Sequence, residues 1–286
     1  MAIGKLPAEI ISIVCELVVL SNSVLEILQS GPNVKLAQVN RFFRSVVVNS
    51  PVIWGSVSNK QSPDMFRLCM KRSKQSRLGV VLLLVDQGTD SYIEFLRAVV
   101  PHAHRWEEFH FETGRSLSDY LRIIHDLPIH CSGLKLPQLR KLTALYPDAL
   151  FYDTDYGRVP YADEYYSYNT QSAQARNHFY SSWVTPRLQE LQTRNIVPYH
   201  TDGAELTSCD IRFETSCSPE WRAEPFLSMY PHWARLTSLT LRCHSDILYT
   251  DEPPTLGTLV IPQCSGANGS PPMVTRYTGL SECHLC

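Results

Sequence analysis

The sequence predicts an α+β chain: a small helical module at the N-terminus, followed by an irregular α/β solenoid whose strands share one parallel sheet. Three observations lead to this. Residues 3–57 carry helix-start signals followed by apolar residues at three-four spacing. An apolar-x-x-apolar-x-apolar template recurs six times after Arg105, with helical patterns between several copies. The 286 residues are 44% hydrophobic and 19% charged, the balance of a folded chain able to bury a sizeable core.

The first helix is expected to start at Leu6-Pro7-Ala8-Glu9-Ile10. Proline suits a first turn, where its missing N–H would have no partner, and Glu9 complements the helix dipole. Ile10, Ile13, Val14, Leu17 and Val18 then predict one buried face, and Ser21-Asn22-Ser23 ends the helix. Gly31-Pro32-Asn33 is a turn signal. A second helix is expected from Lys35 to Asn49, with Leu36, Val39, Phe43, Val46 and Val47 on one face. Ser50-Pro51 predicts a short third helix that places Trp54 in a small core.

These pieces resemble an F-box. Leu6-Pro7-x-Glu9-Ile10-Ile11-x-Ile13 is similar to its opening, Leu36-x-x-Val39-x-Arg41-x-Phe43-Arg44 to its central helix, and Ser50-Pro51-x-x-Trp54 to its closing element. The connection from Leu20 to Lys35 is longer than in the shortest F-boxes, and Asn40 stands where many members carry cysteine. The resemblance implies docking onto the Skp-type adaptor of a cullin–RING ubiquitin ligase, with Leu6, Pro7, Ile10, Ile13, Leu36, Val39 and Trp54 as the docking residues. It also implies that the rest of the chain captures a protein substrate. The alternative is a leucine-rich-repeat interaction scaffold that takes no part in ubiquitination, in which Leu6, Pro7 and Ile10 pack inside the protein.

Residues 58–78 are expected as a linker or helix. Their basic stretch, Lys71 to Arg77, is expected to be solvated. A leucine-rich-repeat-like domain is expected over residues 79–264. It opens with a strand from Gly79 to Val85 and a helix over Tyr92-Ile93-x-x-Leu96-x-x-Val99. The template then begins at Trp106, Leu139, Leu188, Leu206, Leu236 and Leu256. Alternate residues should enter the core, while their neighbours form an outward face carrying Arg140, Glu190 and Arg242 as candidate substrate contacts. Further helices are expected over Leu117 to Leu127 and Glu224 to Tyr230.

Between the second and third templates, at about residues 151–183, lies a tyrosine-rich insertion. It holds seven of the chain's 14 tyrosines, among them Tyr156, Tyr161, Tyr165 and Tyr166. Tyrosines on a scaffolded loop supply large contact area at low entropic cost, so these join the candidate substrate contacts. An irregular tail is expected over residues 265–286.

No nucleophile elbow, Walker loop, Rossmann fingerprint or His-Glu-x-x-His helix is present, so neither catalysis nor a cofactor is expected. The formal net charge of −2 does not favour nucleic acid. Glu16 interrupts the apolar stretch from Ile10 to Leu20, and the longest unbroken apolar run, Val80 to Val85, is too short to span a bilayer. The protein is therefore expected to be cytoplasmic, nuclear or both. Nine scattered cysteines, an odd number, predict reduced thiols, and Cys283-His284-Leu285-Cys286 alone is too small for a structural zinc site.

Overall fold

The computed structural model describes residues 7–21, 23–84, 89–113, 127–146, 179–180, 182–194, 204–213, 235–243 and 283–285. Four helices open the chain: α1 (Ala8–Leu20), α2 (Val24–Ser30), α3 (Pro32–Val39) and α4 (Arg41–Asn49), then a 3-10 turn (Pro51–Trp54). Next come β1 (Ser56–Ser58), α5 (Pro63–Ser73), β2 (Leu78–Leu84), α6 (Thr89–Val99), a second 3-10 turn (Val100–Arg105) and β3 (Trp106–Thr113). Strands β4 (Lys141–Leu145), β5 (Glu190–Arg194), β6 (Ser208–Phe213), β7 (Ser238–Cys243) and β8 (Cys283–Leu285) complete one sheet. The strands lie side by side in chain order. Pairing is parallel from β1 to β7, and β8 runs antiparallel to β7.

Local chemistry accounts for the helix boundaries. The Ser23 hydroxyl accepts from the Glu26 N–H while the Glu26 carboxylate accepts from the Ser23 N–H at 2.7 Å, a reciprocal capping box that starts α2. Gly31 ends α2 with a left-handed φ of 56°, and Pro32 then starts α3. Asn40 is extended and its side chain accepts from the Phe43 N–H at 2.9 Å, so α3 and α4 are two helices where the sequence predicted one. Lys74 closes α5 with φ 48°, a strained conformation for a residue bearing a Cβ.

The expected division into an F-box helical module and a leucine-rich-repeat solenoid is not the architecture found. The chain is α/β, a parallel sheet with helices, and two findings overturn the division. First, the N-terminal helices have no core of their own. Ile11, Cys15, Val19, Val47, Ile53 and Trp54 belong to the same buried cluster as Val80, Leu96, Phe109, Leu191 and Ile211. Strand β1 even begins within residues 3–57 and pairs with β2. Second, no repeating strand–helix unit is found among the described residues. α5 and α6 link the first strands, yet the chain runs a short way from Leu191 to its register partner Cys209 and a much longer way from Leu142 to Leu191. The recurring template suffices to place strands side by side, because alternation sets which side chains face the core. It carries no information about what joins them.

The template does locate the strand core. In register, Phe109, Leu142, Leu191 and Cys209 form one buried row, and Phe111, Ala144, Thr193 and Ile211 a second. The seventh expected strand, near Leu256, and the helices expected near Leu117 and Glu224 lie outside the described residues, apart from Leu127. An aromatic cluster anchors this core. Trp183 is fully buried, its ring centroid 5.3 Å from Phe109, 5.5 Å from Phe179 and 6.2 Å from Trp106, and its Nε1 donates to the Cys131 carbonyl at 2.6 Å. The end of the tyrosine-rich insertion is thus core: Phe179 and Tyr180 are buried beside Trp183.

The opposite face of β2 is covered by α2. A Cβ on Gly79 would stand 2.3 Å from Val24 Cγ2, so the close approach of α2 to the sheet requires glycine there. Asn59 continues the β1 edge with its side chain, donating to the Leu83 carbonyl at 2.8 Å and accepting from the Leu83 N–H at 2.9 Å.

Candidate protein-interaction surfaces

Helix α1 is apolar around nearly its whole circumference. Ile11, Cys15 and Val19, spaced at i, i+4 and i+8, form its buried side. The side expected to be buried is the outward one: Ile10, Ile13, Val14, Leu17 and Val18 are all exposed, Ile13 at 52% and Leu17 at 61%. Periodicity alone could not separate the two faces, because both carry large apolar residues. Glu16 helps to fix the rotation of the helix by accepting from Ser50 at 2.6 Å, and it also accepts from Ser12, one turn earlier on the same helix, at 3.1 Å. The adjoining helices α3 and α4 add exposed Val34, Val39 and Phe42. A helix apolar on all sides is usual in an interior, so an outward stripe of this size is a candidate interaction surface.

The residues expected to dock a partner divide accordingly. Pro7, Ile10, Ile13 and Val39 are exposed on these helices, and Leu36 is half-buried against the core. Leu6 lies outside the described residues. Trp54 is placed in the core instead, 2% exposed, where its Nε1 donates to the Val47 carbonyl at 2.8 Å and Arg72 stacks on its ring at 4.5 Å. Its part in docking would be to hold α4 and the first 3-10 turn in place. The basic stretch is largely exposed, at Lys71, Lys74, Gln75 and Arg77, with Arg72 lying on Trp54 and Arg77 pairing with Glu107.

A second surface is the polar face of β3 to β7, made by residues that alternate with the core rows. Glu108, Lys141, Glu190, Ser208 and Ser238 form one row, then His110, Thr143, Gln192, Asp210 and Thr240, then Glu112, Leu145, Arg194, Arg212 and Arg242. Lys141 pairs with Glu190 at 3.7 Å, and Arg140 approaches Glu107 at 3.8 Å. Arg194 pairs with Glu112 at 3.3 Å and Arg212 with Asp210 at 2.6 Å. His110 stands 3.6 Å from Glu112. His110 and Arg194 beside it hold the Glu112 carboxyl below its ordinary range against the opposing effect of burial, whereas burial raises Glu108.

Of the expected substrate contacts, Arg140 and Glu190 are exposed and Arg242 sits in the third row. Tyr156, Tyr161, Tyr165 and Tyr166 lie outside the described residues. Sequence reasoning did not single out Glu112, Arg194, Asp210 or Arg212, because their adjacency depends on register across connections of unequal length.

Cys69, Cys131 and Cys209 are buried, and burial pushes their thiols up to about 11, about 12 and about 12, which keeps them in the unreactive thiol form. Among the described residues no group of His, Cys, Asp and Glu is placed to hold a metal ion, and no helix is long and apolar enough to cross a membrane. Comparison of the chain with protein-family models, with curated proteins and with solved structures finds no match.

Proposed function

We propose that this chain is a non-enzymatic substrate-recognition adaptor of a Skp–cullin–F-box type ubiquitin ligase. It would meet the Skp-type adaptor through the outward face of α1 with α3 and α4, and a protein substrate through the polar face of the sheet. The observation that carries this is the exposed stripe Ile10, Ile13, Val14, Leu17 and Val18, lying within the segment whose sequence resembles an F-box. Exposed apolar surface of this kind in water favours association with a partner that removes it. The same observation weighs against the alternative in which Pro7 and Ile10 are packed inside the protein. On this reading the protein works in the cytoplasm or nucleus, where such ligases act, and needs no cofactor.

The test is capture of a purified Skp-type adaptor by the full chain and by the double variant Ile13→Glu, Leu17→Glu. Both side chains are more than half exposed, so thermal stability should hold while capture weakens about thirty-fold or more, the scale set by losing apolar anchors at an interface centre. A folded variant that captures the adaptor as well as the parent, or a parent that captures none, would leave a protein-interaction scaffold outside any ligase as the better description.

A further inference from the structure

We infer that the rim where β2, β3 and β4 begin is a binding site for an acidic, glutamate- or aspartate-rich segment of a protein partner. This rests on the proposal that the sheet half of the chain takes the substrate, and it uses no residue of the adaptor face. Three entries to the sheet meet at this rim. Arg77 before β2 and Arg140 before β4, each with a side chain 47% exposed, approach one carboxylate, Glu107 on β3. Arg105, buried at the end of the second 3-10 turn, donates to the Ser76 carbonyl at 2.8 Å and to the Ser73 hydroxyl at 2.9 Å, and so holds the turn that carries Lys74. Both acceptors are neutral, and no carboxylate among the described residues offsets this buried cation. At the entry to β5, Arg187 bonds the neutral Gln138 at 2.9 Å. The adjoining row on the sheet adds Glu108, Lys141 and Glu190, with Lys141 3.7 Å from Glu190. With that row included, cations outnumber carboxylates six to three: Lys74, Arg77, Arg105, Arg140, Lys141 and Arg187 against Glu107, Glu108 and Glu190. Farther along, Arg235 pairs with Glu205, so the excess lies at the β2–β5 end.

Glu107 itself shows the chemistry that the rim accepts, a carboxylate between two guanidinium groups. Arg140 meets it only loosely, through Nε at 3.8 Å, so its two terminal nitrogens have no partner among the described residues. Guanidinium is suited to a second carboxylate there because its planar fork of donors matches the two oxygens. Lys74 adds an independent observation. Its φ of 48° is one that glycine adopts without strain, yet the position presents an exposed lysine with no described partner, three residues before Arg77. Strained residues over-determined by their surroundings, as Arg105 determines this turn, cluster at binding sites. Nucleic acid fits the rim less well, because Glu107, Glu108 and Glu190 would stand against its continuous line of phosphates.

The test uses the full chain and immobilised degenerate peptides in three matched sets, centred on glutamates, on serines and on lysines, together with a single-stranded oligonucleotide. The glutamate set should be retained above the other two and above the oligonucleotide, and added salt should weaken it. The double variant Lys74→Gly, Arg140→Gln should lose about ten-fold or more in that retention, as expected for removing charge-assisted hydrogen bonds. Lys74→Gly alone relieves the backbone and should melt no lower than the parent while still binding the glutamate set more weakly, an outcome that a purely structural role for Lys74 does not produce. Equal retention of the three peptide sets, retention unchanged in the double variant, or an oligonucleotide held as tightly as the glutamate set overturns the inference. Capture of the Skp-type adaptor is measured in parallel and should be unaltered in both variants. A parent that retains the glutamate set but captures no adaptor would sink the ligase reading and leave this site standing.

Discussion

A chain lacking residues 3–57 should fail to fold. The truncation removes Ile11, Cys15, Val19, Ile27, Val46, Val47, Ile53, Trp54 and Val57 from the shared core, together with strand β1 and the α2 cover over Gly79. Fully burying one large apolar side chain contributes about 1.5–3 kcal/mol, and a domain's whole margin is about 5–15 kcal/mol. The deletion therefore exceeds any margin the remaining sheet can have. Circular dichroism and thermal melting of residues 58–286 should show no cooperative transition and a tendency to aggregate through the bared β2 edge. A truncated chain that melts cooperatively at the parent's temperature would mean that the helices are a separable module after all. Adaptor binding therefore has to be tested with surface substitutions, since loss of capture by a truncated chain would report unfolding.

Trp183→Ala should be the most damaging single substitution in the sheet half of the protein, at about 3–5 kcal/mol for a buried large-to-small change. The indole touches Trp106, Phe109, Phe179 and Tyr180, and its Nε1–H bonds to the Cys131 carbonyl. Its neighbour Val184 forms the bridge to Lys135 that aligns the approaches to β4 and β5. Trp183→Phe keeps most of the apolar contact and strands only the Cys131 carbonyl, so it should cost a fraction of this. Denaturant unfolding of the two variants checks the order. Equal stability of Trp183→Ala and the parent would show that the aromatic cluster is not packed as described.

The strands were legible because the sheet is half-buried in a regular way. In Trp106-x-x-Phe109-x-Phe111 and Leu188-x-x-Leu191-x-Thr193, the last two template positions alternate into the core and the residues between them face out. The helices were legible in part. Ser23-x-x-Glu26 is a capping box visible in the sequence, and it marks α2 inside a stretch that reads as a connection. Asn40 is a good cap residue within an otherwise continuous apolar period, and its extended backbone divides one expected helix into two. The rotation of α1 was not legible, because Ile11, Cys15 and Val19 compete equally with Ile10, Ile13, Val14, Leu17 and Val18 for the core. Tertiary packing and the hydrogen bond that Glu16 accepts from Ser50 decide it.

The reading as a helical F-box module followed by a repeat solenoid was the larger error, and its cause is also physical. An F-box-like pattern of apolar residues is satisfied equally by a self-contained bundle and by helices that lend their inner faces to a neighbouring sheet. Nothing local distinguishes Ile53 and Val57 packing among helices from the same residues packing beside Val80. The third polar row was hidden for a related reason. Arg194, Arg212 and Arg242 become neighbours only through register, which the intervening connections do not reveal.

The N-terminal helices share the core of the sheet through one face of α1 and, as proposed, would bind a partner through the other. Amide hydrogen exchange of the full chain, alone and saturated with a Skp-type adaptor, tests it most directly. In the free protein α1 and β2 should exchange together, as parts of one cooperative unit. With the adaptor present, Ala8–Leu20 and the neighbouring turns of α3 and α4 should slow further while β3 to β6 stay unchanged. Slow exchange of β2 beside rapid, independent exchange of α1 would contradict the shared core, and unchanged exchange of α1 in the presence of the adaptor would contradict the docking face.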